Sequence, residues 1–277
     1  MTAMDCRGGR AIETNVSAAD IRRLVLEESK RANVGHIGPA LSIADIVAAL
    51  YDRVLVISSP DDPERDRFVL AKGHAALALY AAFHLRGWIS RETLATYCAD
   101  GTLLGVHPEY MLTGVDFSTG SLGQGLSVGV GMAQAARMQS STRRVFVLLS
   151  DAECNEGSVW EAVMFAAHHR LANLVAIVDL NGQQALGPTA EVLDLSSLAD
   201  RWSAFGWDVQ EINGHDVDTI TATLSGLDTR IGQPHVVIAH TVSGYGVSYM
   251  ERQFKWHYLP MSDEEYQQAL AEARVLG

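Results

Sequence analysis

Length, composition and charge exclude several classes of protein. The chain has 277 residues, of which 48% are hydrophobic and 19% charged, the composition of a globular protein long enough to bury a sizeable core. Its formal net charge is −12 and its basic residues form no run, which argues against a nucleic-acid surface or a patch for anionic membranes. An acidic protein that binds a phosphorylated ligand must hold it by local means, such as a divalent cation, backbone N–H groups or histidines.

The cysteines and the N-terminal segment favour a cytoplasmic protein. Cys6, Cys98 and Cys154 are odd in number and contain no CxxC pair, which is typical of reduced thiols and argues against a zinc site. The polar N-terminal segment lacks the apolar stretch of a signal peptide, and no apolar run approaches the roughly 18 residues that span a bilayer. We expect a soluble, cytoplasmic protein without membrane contact.

The first half of the chain predicts helices around one short strand. An N-capped amphipathic helix is expected at 17–32, a second helix at about 42–51, a strand at 67–70 and an alanine-rich helix at 75–85. A glycine-rich run from Ser118 then becomes a helix of small residues, which allows close backbone approach.

The second half predicts a parallel α/β unit. Continuous apolar strands at 144–149 and 174–179 are joined by a helix at about 158–171, and a further strand is expected at 235–240. Such strands are typical of a parallel sheet buried on both faces, with right-handed crossovers. We therefore predict an α/β fold with helices on both faces of a parallel sheet. It forms one domain of residues 1–277, with its core at about 17–257 and a C-terminal helix at about 262–275.

Asp151 and Asn181 follow two strands that this unit makes neighbours. The carboxyl ends of parallel strands meet at the edge of the sheet where open α/β folds bind ligands, so we expect the two side chains to lie close together. With a nearby backbone carbonyl, that of Gln183 being a candidate, they form the kind of oxygen site that Mg²⁺ prefers. The backbone N–H groups that open the next helix can meet other phosphate oxygens. The alternative is that Asp151 and Glu153 only cap that helix.

Four histidines occur in glycine-rich or turn-like settings, at His36, His74, His107 and His257. In a chain with a predicted metal and phosphate site, they indicate hydrogen bonding to an oxygenated substrate and proton transfer near neutral pH.

Seven segments together resemble transketolase, in the order that this family shows: GHIGPALSIADI, DRFVLAKGHAALALY, GVHPE, FSTGSLGQGLSVGVGMA, SDAECNEGSVWEA, VDLNG and SGYGVSYMERQFKWH. The resemblance covers about 17–257 and is to the N-terminal, diphosphate-binding half of a split transketolase. We expect the chain to stop before any pyrimidine-binding domain.

The resemblance implies thiamine diphosphate with Mg²⁺ or Ca²⁺ as cofactors. It implies that Asp151, Asn181 and the Gln183 carbonyl hold the metal. It implies further cofactor contacts at the Ala152 N–H, which would touch the diphosphate, and at Gly120 and Leu122, which would lie along the aminopyrimidine.

The resemblance also implies a substrate site and a partner. His36, His74, His107 and His257 would surround the thiazolium C2 where the sugar binds. Glu156 and Glu161 resemble the family's acids that connect paired active sites. A C-terminal subunit with a pyrimidine-binding domain would complete a heterotetramer that transfers a two-carbon ketol unit from a ketose to an aldehyde.

Three positions depart from the family pattern. Ala152 stands where a glycine is usual and can crowd the diphosphate. Pro39 replaces a glycine common in split members, and Tyr258 follows His257 where a glycine is frequent, which would narrow the substrate entrance.

Three other interpretations stay open. An E1-type 2-oxoacid decarboxylating subunit shares the metal motif. A non-catalytic assembly partner could retain the fold. Nucleotide binding at GQGLSVGVG is the third, although the spacing there is not GxGxxG.

Overall fold

A parallel sheet forms the centre of the structure, a computed structural model that describes residues 15–229 and 232–273. Within these residues the sheet has five strands in the order β1-β2-β3-β7-β6, and a separate antiparallel hairpin is formed by β4 and β5. The strands are β1 (Arg67–Leu70), β2 (Val145–Ser150), β3 (Leu174–Leu180), β4 (Gln183–Gln184), β5 (Gly187–Pro188), β6 (Asp208–Asn213) and β7 (His235–His240).

Helices and helical turns cover both faces of this sheet. The α-helices of the described residues are α1 (Ala18–Ala32), α2 (Ile37–Ser42), α3 (Ala44–Ala49), α4 (Ala76–Leu85), α5 (Arg91–Leu94), α6 (Gln124–Met138), α7 (Gly157–His168), α8 (Thr189–Val192), α9 (Leu198–Ala204), α10 (Val217–Gly226) and α11 (Asp263–Ala273). A π-helix spans Leu50–Val54, and 3₁₀ turns span Gly73–Ala75, Ala152–Asn155 and Phe254–His257.

Side chains that alternate in direction along the strands divide the hydrophobic core into two layers, one on each face of the sheet. In β2, Phe146 and Leu148 pack in the cluster that contains residues of α1 to α4, α10 and α11. Val145, Val147 and Leu149 point the other way, into the cluster formed with α6, α7 and α9. Because successive strand side chains point to opposite faces, this strand, apolar up to its last residue Ser150, is buried on both sides. The predicted α/β fold is therefore confirmed.

Glycines bring helix α6 against the sheet, as its small residues predict. A Cβ atom at Gly125 would lie 2.4 Å from the Cβ of Ala71, and one at Gly129 would lie 2.4 Å from Cγ2 of Val147. Larger residues at these two positions would push the helix away from β1 and β2.

Several predicted boundaries are wrong. The helix expected at about 42–51 is instead α2 and α3, separated at Ile43 (φ −103°, ψ 3°) and followed by the π-helix. The edge strand β6 was not predicted, because its side chains are half-buried or exposed and include Asp208 and Glu211. The first helix, the strand at 67–70 and the strand at 235–240 match their predictions. Cys6 and the end predicted for the C-terminal helix lie outside the described residues.

Candidate cofactor and substrate site

Asp151 lies where β2 and β3 end side by side, since Ser150 pairs with Asp179 in the parallel register. Its side chain is fully buried. The Gly182 N–H and the Thr189 hydroxyl donate to its Oδ2 at 2.9 and 3.0 Å, and the Ala152 N–H donates to its Oδ1 at 2.8 Å. The strand-end residue is thus joined to the segment that directly follows Asn181, while close approach of the Asp151 and Asn181 side chains themselves stays a prediction.

The capping interpretation of these acids accounts for only part of the geometry. Asp151 does cap the 3₁₀ turn through the Ala152 N–H, so this N–H is already engaged by a carboxylate. The Glu153 carboxylate accepts from the Ser150 N–H at 3.0 Å while the Glu153 N–H donates to the Ser150 hydroxyl at 3.2 Å, the reciprocal pair of a capping box. It also accepts from the distant Gly123 N–H at 2.9 Å, which capping does not explain. Glu153 thereby fixes the start of α6 to the end of β2.

Asn181 is held by hydrogen bonds on both ends of its amide. Its Nδ2 donates to Oδ2 of Asp179 at 2.8 Å, and its Oδ1 accepts from the Gln183 N–H at 2.9 Å. A carbonyl oxygen has two lone pairs, so Oδ1 keeps one for a further partner.

Asp179 is the centre of a buried polar network that sequence reasoning missed. It forms an ion pair with Lys72 and accepts hydrogen bonds from Ser42 at 2.9 Å and from Thr241. Two signals were present in the sequence: Lys72 is one of three lysines and directly precedes Gly73-His74, and Asp179 is a charged residue inside an apolar strand. The contact with Ser42, 137 positions away, could not be found by local patterns.

The electrostatics of this edge fit a cation. Burial raises the pKa of Asp151 to about 6, and the negative charge of Asp179 adds to the effect. The donors that Asp151 receives are neutral N–H and hydroxyl groups, so a divalent ion beside it would relieve the penalty of the buried charge.

The possible metal ligands at this edge of the sheet are oxygen atoms. Within residues 15–229 and 232–273, no group of three or more His, Cys, Asp and Glu side chains is arranged to hold a metal. A metal would instead depend on one carboxylate, one amide oxygen and a carbonyl, a set that suits Mg²⁺ or Ca²⁺.

Three of the four predicted histidines form a triangle. Ring centroids are 5.5 Å apart for His36 and His74, and 5.2 Å apart for each of the two pairs that include His257. His36 begins α2 in the left-handed region (φ 61°), and its N–H donates to the His257 carbonyl at 3.2 Å. Its buried Nδ1 has no hydrogen-bond partner among the described residues, which leaves it for a ligand.

The surroundings of these three imidazoles favour their neutral form. Burial lowers the pKa of His257 to about 4, with further contributions from His36 and Lys72. Burial likewise lowers the pKa of His74 well below its usual value, and that of His36 below its usual value. Each ring therefore offers one donor and one acceptor to a substrate.

His107 lies apart from the triangle. It is exposed, and its ring packs on Gly120, where an added Cβ would come within 3.1 Å of Cδ2. Both residues line a cavity of about 370 Å³ with Ser118 and Gln124.

The remaining predicted residues have less defined surroundings. Leu122 is half-buried just before α6, and Pro39 is buried in α2. Glu156 and Glu161 are exposed at and beyond the start of α7.

Of the described helices, none is long and apolar enough to cross a membrane.

Comparison with known proteins shows the family. Residues 13–273 match the model of the transketolase thiamine diphosphate-binding domain. An apulose-4-phosphate transketolase subunit of Phocaeicola vulgatus is 44% identical over 91% of this chain and 90% of its own. The 6-deoxy-6-sulfo-D-fructose transketolase subunit SqwG of a Clostridium species is 42% identical over 96% and 98%.

A solved structure shows the same fold in a longer chain. Transketolase from Campylobacter jejuni superposes with a TM-score of 0.87 at 30% identity, covering 95% of this chain and 43% of that one. The present chain thus spans less than half the length of that enzyme and nearly the full length of the two subunits. It belongs to the transketolase family and corresponds to the thiamine diphosphate-binding domain of that family.

Proposed function

We propose that the chain is the diphosphate-binding subunit of a split transketolase. With Mg²⁺ or Ca²⁺, thiamine diphosphate and a C-terminal partner subunit, it would transfer a two-carbon ketol unit from a ketose to an aldehyde. Two relatives of similar length that are named as transketolase subunits support this assignment. The reduced-thiol pattern of the cysteines supports a cytoplasmic location.

The position of Lys72 carries this proposal. Its side chain pairs with Asp179 at the strand edge, and its charge also lowers the pKa values of His74 and His257. The buried ammonium group of Lys72 therefore lies close both to the sheet edge that carries the predicted metal ligands and to the histidine triangle. A diphosphate held at the edge would place the rest of its molecule near the histidines.

The roles of the chain's residues follow from this arrangement. Asp151, the Asn181 Oδ1 and the Gln183 carbonyl would hold the metal. Contact of the Ala152 N–H with the diphosphate requires that it share its present bond to Asp151. The bound cofactor would supply the carbon nucleophile and the electron sink for cleavage and formation of the C–C bond.

The histidines would act on the sugar. Neutral imidazoles can donate to carbonyl oxygens and accept from hydroxyl groups, and the free Nδ1 of His36 is an acceptor or donor already freed from protein contacts. His107, which packs on Gly120 in the wall of the cavity, would contact the sugar from another side. The three rings of the triangle are half-buried, which limits competition from water.

A heterotetramer with two copies of each subunit is the assembly we propose. The exposed Glu156 and Glu161, which resemble acids at the family's paired sites, support a contact between two copies of this chain. The partner would supply the pyrimidine-binding domain.

Calorimetric titration of the copurified complex with thiamine diphosphate, at several Mg²⁺ concentrations, tests the proposal. Asp151→Ala should abolish metal-dependent binding, because the diphosphate would then face an acidic protein without its bridging cation. Asp218→Ala, at an exposed carboxylate that pairs with Arg53, is the matched control and should bind normally. Unchanged Mg²⁺ dependence in Asp151→Ala would refute the metal assignment.

A further inference from the structure

The hairpin that carries Gln183 has little stability of its own. Each of its strands, β4 and β5, is two residues long. Isolated two-stranded hairpins are marginal in water, so the position of this one depends on contacts with the rest of the molecule. Its base is fixed on the predicted metal ligand, since the Gly182 N–H and the Thr189 hydroxyl both donate to Asp151.

The far side of the hairpin is fixed by two side chains. The Tyr258 hydroxyl donates to the Ala185 carbonyl at the turn of the hairpin. The Gln183 Nε2 donates to the Arg252 carbonyl at 2.5 Å. Both bonds join the hairpin to the segment 252–258, which contains His257; we call this pair of bonds the strap.

Backbone contacts hold the segment that anchors the strap in place around Tyr258. The His257 carbonyl accepts the His36 N–H, and the Tyr258 carbonyl packs so closely on Gly35 that an added Cβ there would lie 2.2 Å away. The Tyr258 ring, 48% exposed, lies 5.1 Å from the His257 ring and 5.3 Å from that of Phe254. Its hydroxyl thus reaches the hairpin from a fixed base.

We propose that Tyr258 is a positioning residue that, with the Gln183 side chain, holds the β4–β5 hairpin so that the Gln183 carbonyl is preset for the metal. The inference rests on the proposed function, in which that carbonyl is a metal ligand. It gives Tyr258 a role that a glycine could not fill, because only the phenol bridges the metal-side hairpin and the His257 segment. A ligand held within about 0.5 Å of its bound position avoids the cost of ordering on binding.

Amide hydrogen exchange of the full chain without cofactor is the first measurement. Tyr258→Phe keeps the ring and removes the hydroxyl, and Gln183→Ala removes the amide but keeps the backbone carbonyl. Each should speed exchange at 182–188 by about fivefold, the factor that corresponds to one ordinary hydrogen bond. Tyr249→Phe is the matched control: it deletes a phenol bond of 2.6 Å to the Glu265 carbonyl, away from the hairpin, and should leave exchange at 182–188 unchanged.

The Mg²⁺ dependence of thiamine diphosphate binding is the second measurement, made on the complex with the partner. Tyr258→Phe should raise the apparent Kd for Mg²⁺ about fivefold while kcat at saturating Mg²⁺ and cofactor stays within about twofold, since His257 is retained. If exchange at 182–188 is unchanged in Tyr258→Phe, or is faster while the Kd for Mg²⁺ is unchanged, the role inferred for Tyr258 is wrong and the proposed function still stands. If the wild-type complex shows no Mg²⁺-dependent binding, the proposed function fails and the inference falls with it.

Discussion

Lys72 and Asp179 form an ion pair that is completely buried at the carboxyl edge of the sheet, with side chains 1% and 0% exposed. Asp179 also orients Asn181, so the pair links the stability of the core to the predicted metal site. Breaking one partner of such a pair leaves a buried charge without compensation.

Asp179→Asn should therefore destabilise the chain by about 3–5 kcal/mol, measured as the free energy of unfolding in urea at pH 7.5. Because the substitution leaves the Lys72 ammonium unpaired, the double variant Lys72→Met/Asp179→Asn should recover a large part of the loss. A double variant as unstable as Asp179→Asn alone would show that the buried charge is not the cause.

Alanine substitutions at two glycines of α6 should have opposite effects on the free energy of unfolding. Gly125→Ala places a Cβ 2.4 Å from that of Ala71 and should cost about 1–3 kcal/mol, because α6 must move off the sheet. Gly131→Ala meets no atom within 4 Å and should stabilise the isolated chain by about 0.5–1 kcal/mol through helix propensity. Equal effects of the two substitutions on the unfolding free energy would contradict the close packing.

The contribution of His257 to stability should fall as the pH falls below about 6.5, the pKa of histidine in an unfolded chain. Burial holds the pKa of His257 near 4, so between these values the unfolded chain binds a proton that the folded chain does not. His257→Gln should therefore lose less stability than wild type between pH 7 and pH 5, measured by urea unfolding. His168→Gln, at an exposed position, serves as control; identical losses in wild type and His257→Gln would refute the neutral triangle.

The histidines are predicted to serve substrate rather than cofactor. His107→Ala or His257→Ala should each lower kcat by about 10²-fold or more, the usual scale of acid–base and positioning effects. Thiamine diphosphate affinity should change little, since Asp151 and Asn181 remain. Normal turnover at saturating cofactor, with weakened cofactor binding, would reverse this division of roles.

The sequence allowed prediction of contacts set by a repeated local geometry. Asp151 and the Asn181 segment meet because a strand–helix–strand unit brings consecutive strand ends together. The edge strand β6 was not predicted, because an exposed edge carries polar residues such as Glu211 in place of a continuous apolar run. The bond from Tyr258 to Ala185 joins two loops 73 positions apart, and no periodicity reports such a contact.

Ketol transfer by the purified chain, alone and with its partner subunit, tests the central claim most directly. Ketose, aldehyde, Mg²⁺ and thiamine diphosphate are supplied in both assays, and formation of the lengthened sugar is measured. The chain alone should be inactive, and activity should appear once a partner with a pyrimidine-binding domain is added. Robust transfer by this chain alone, or none with that partner and any ketose donor, would contradict the assignment as one half of a split transketolase.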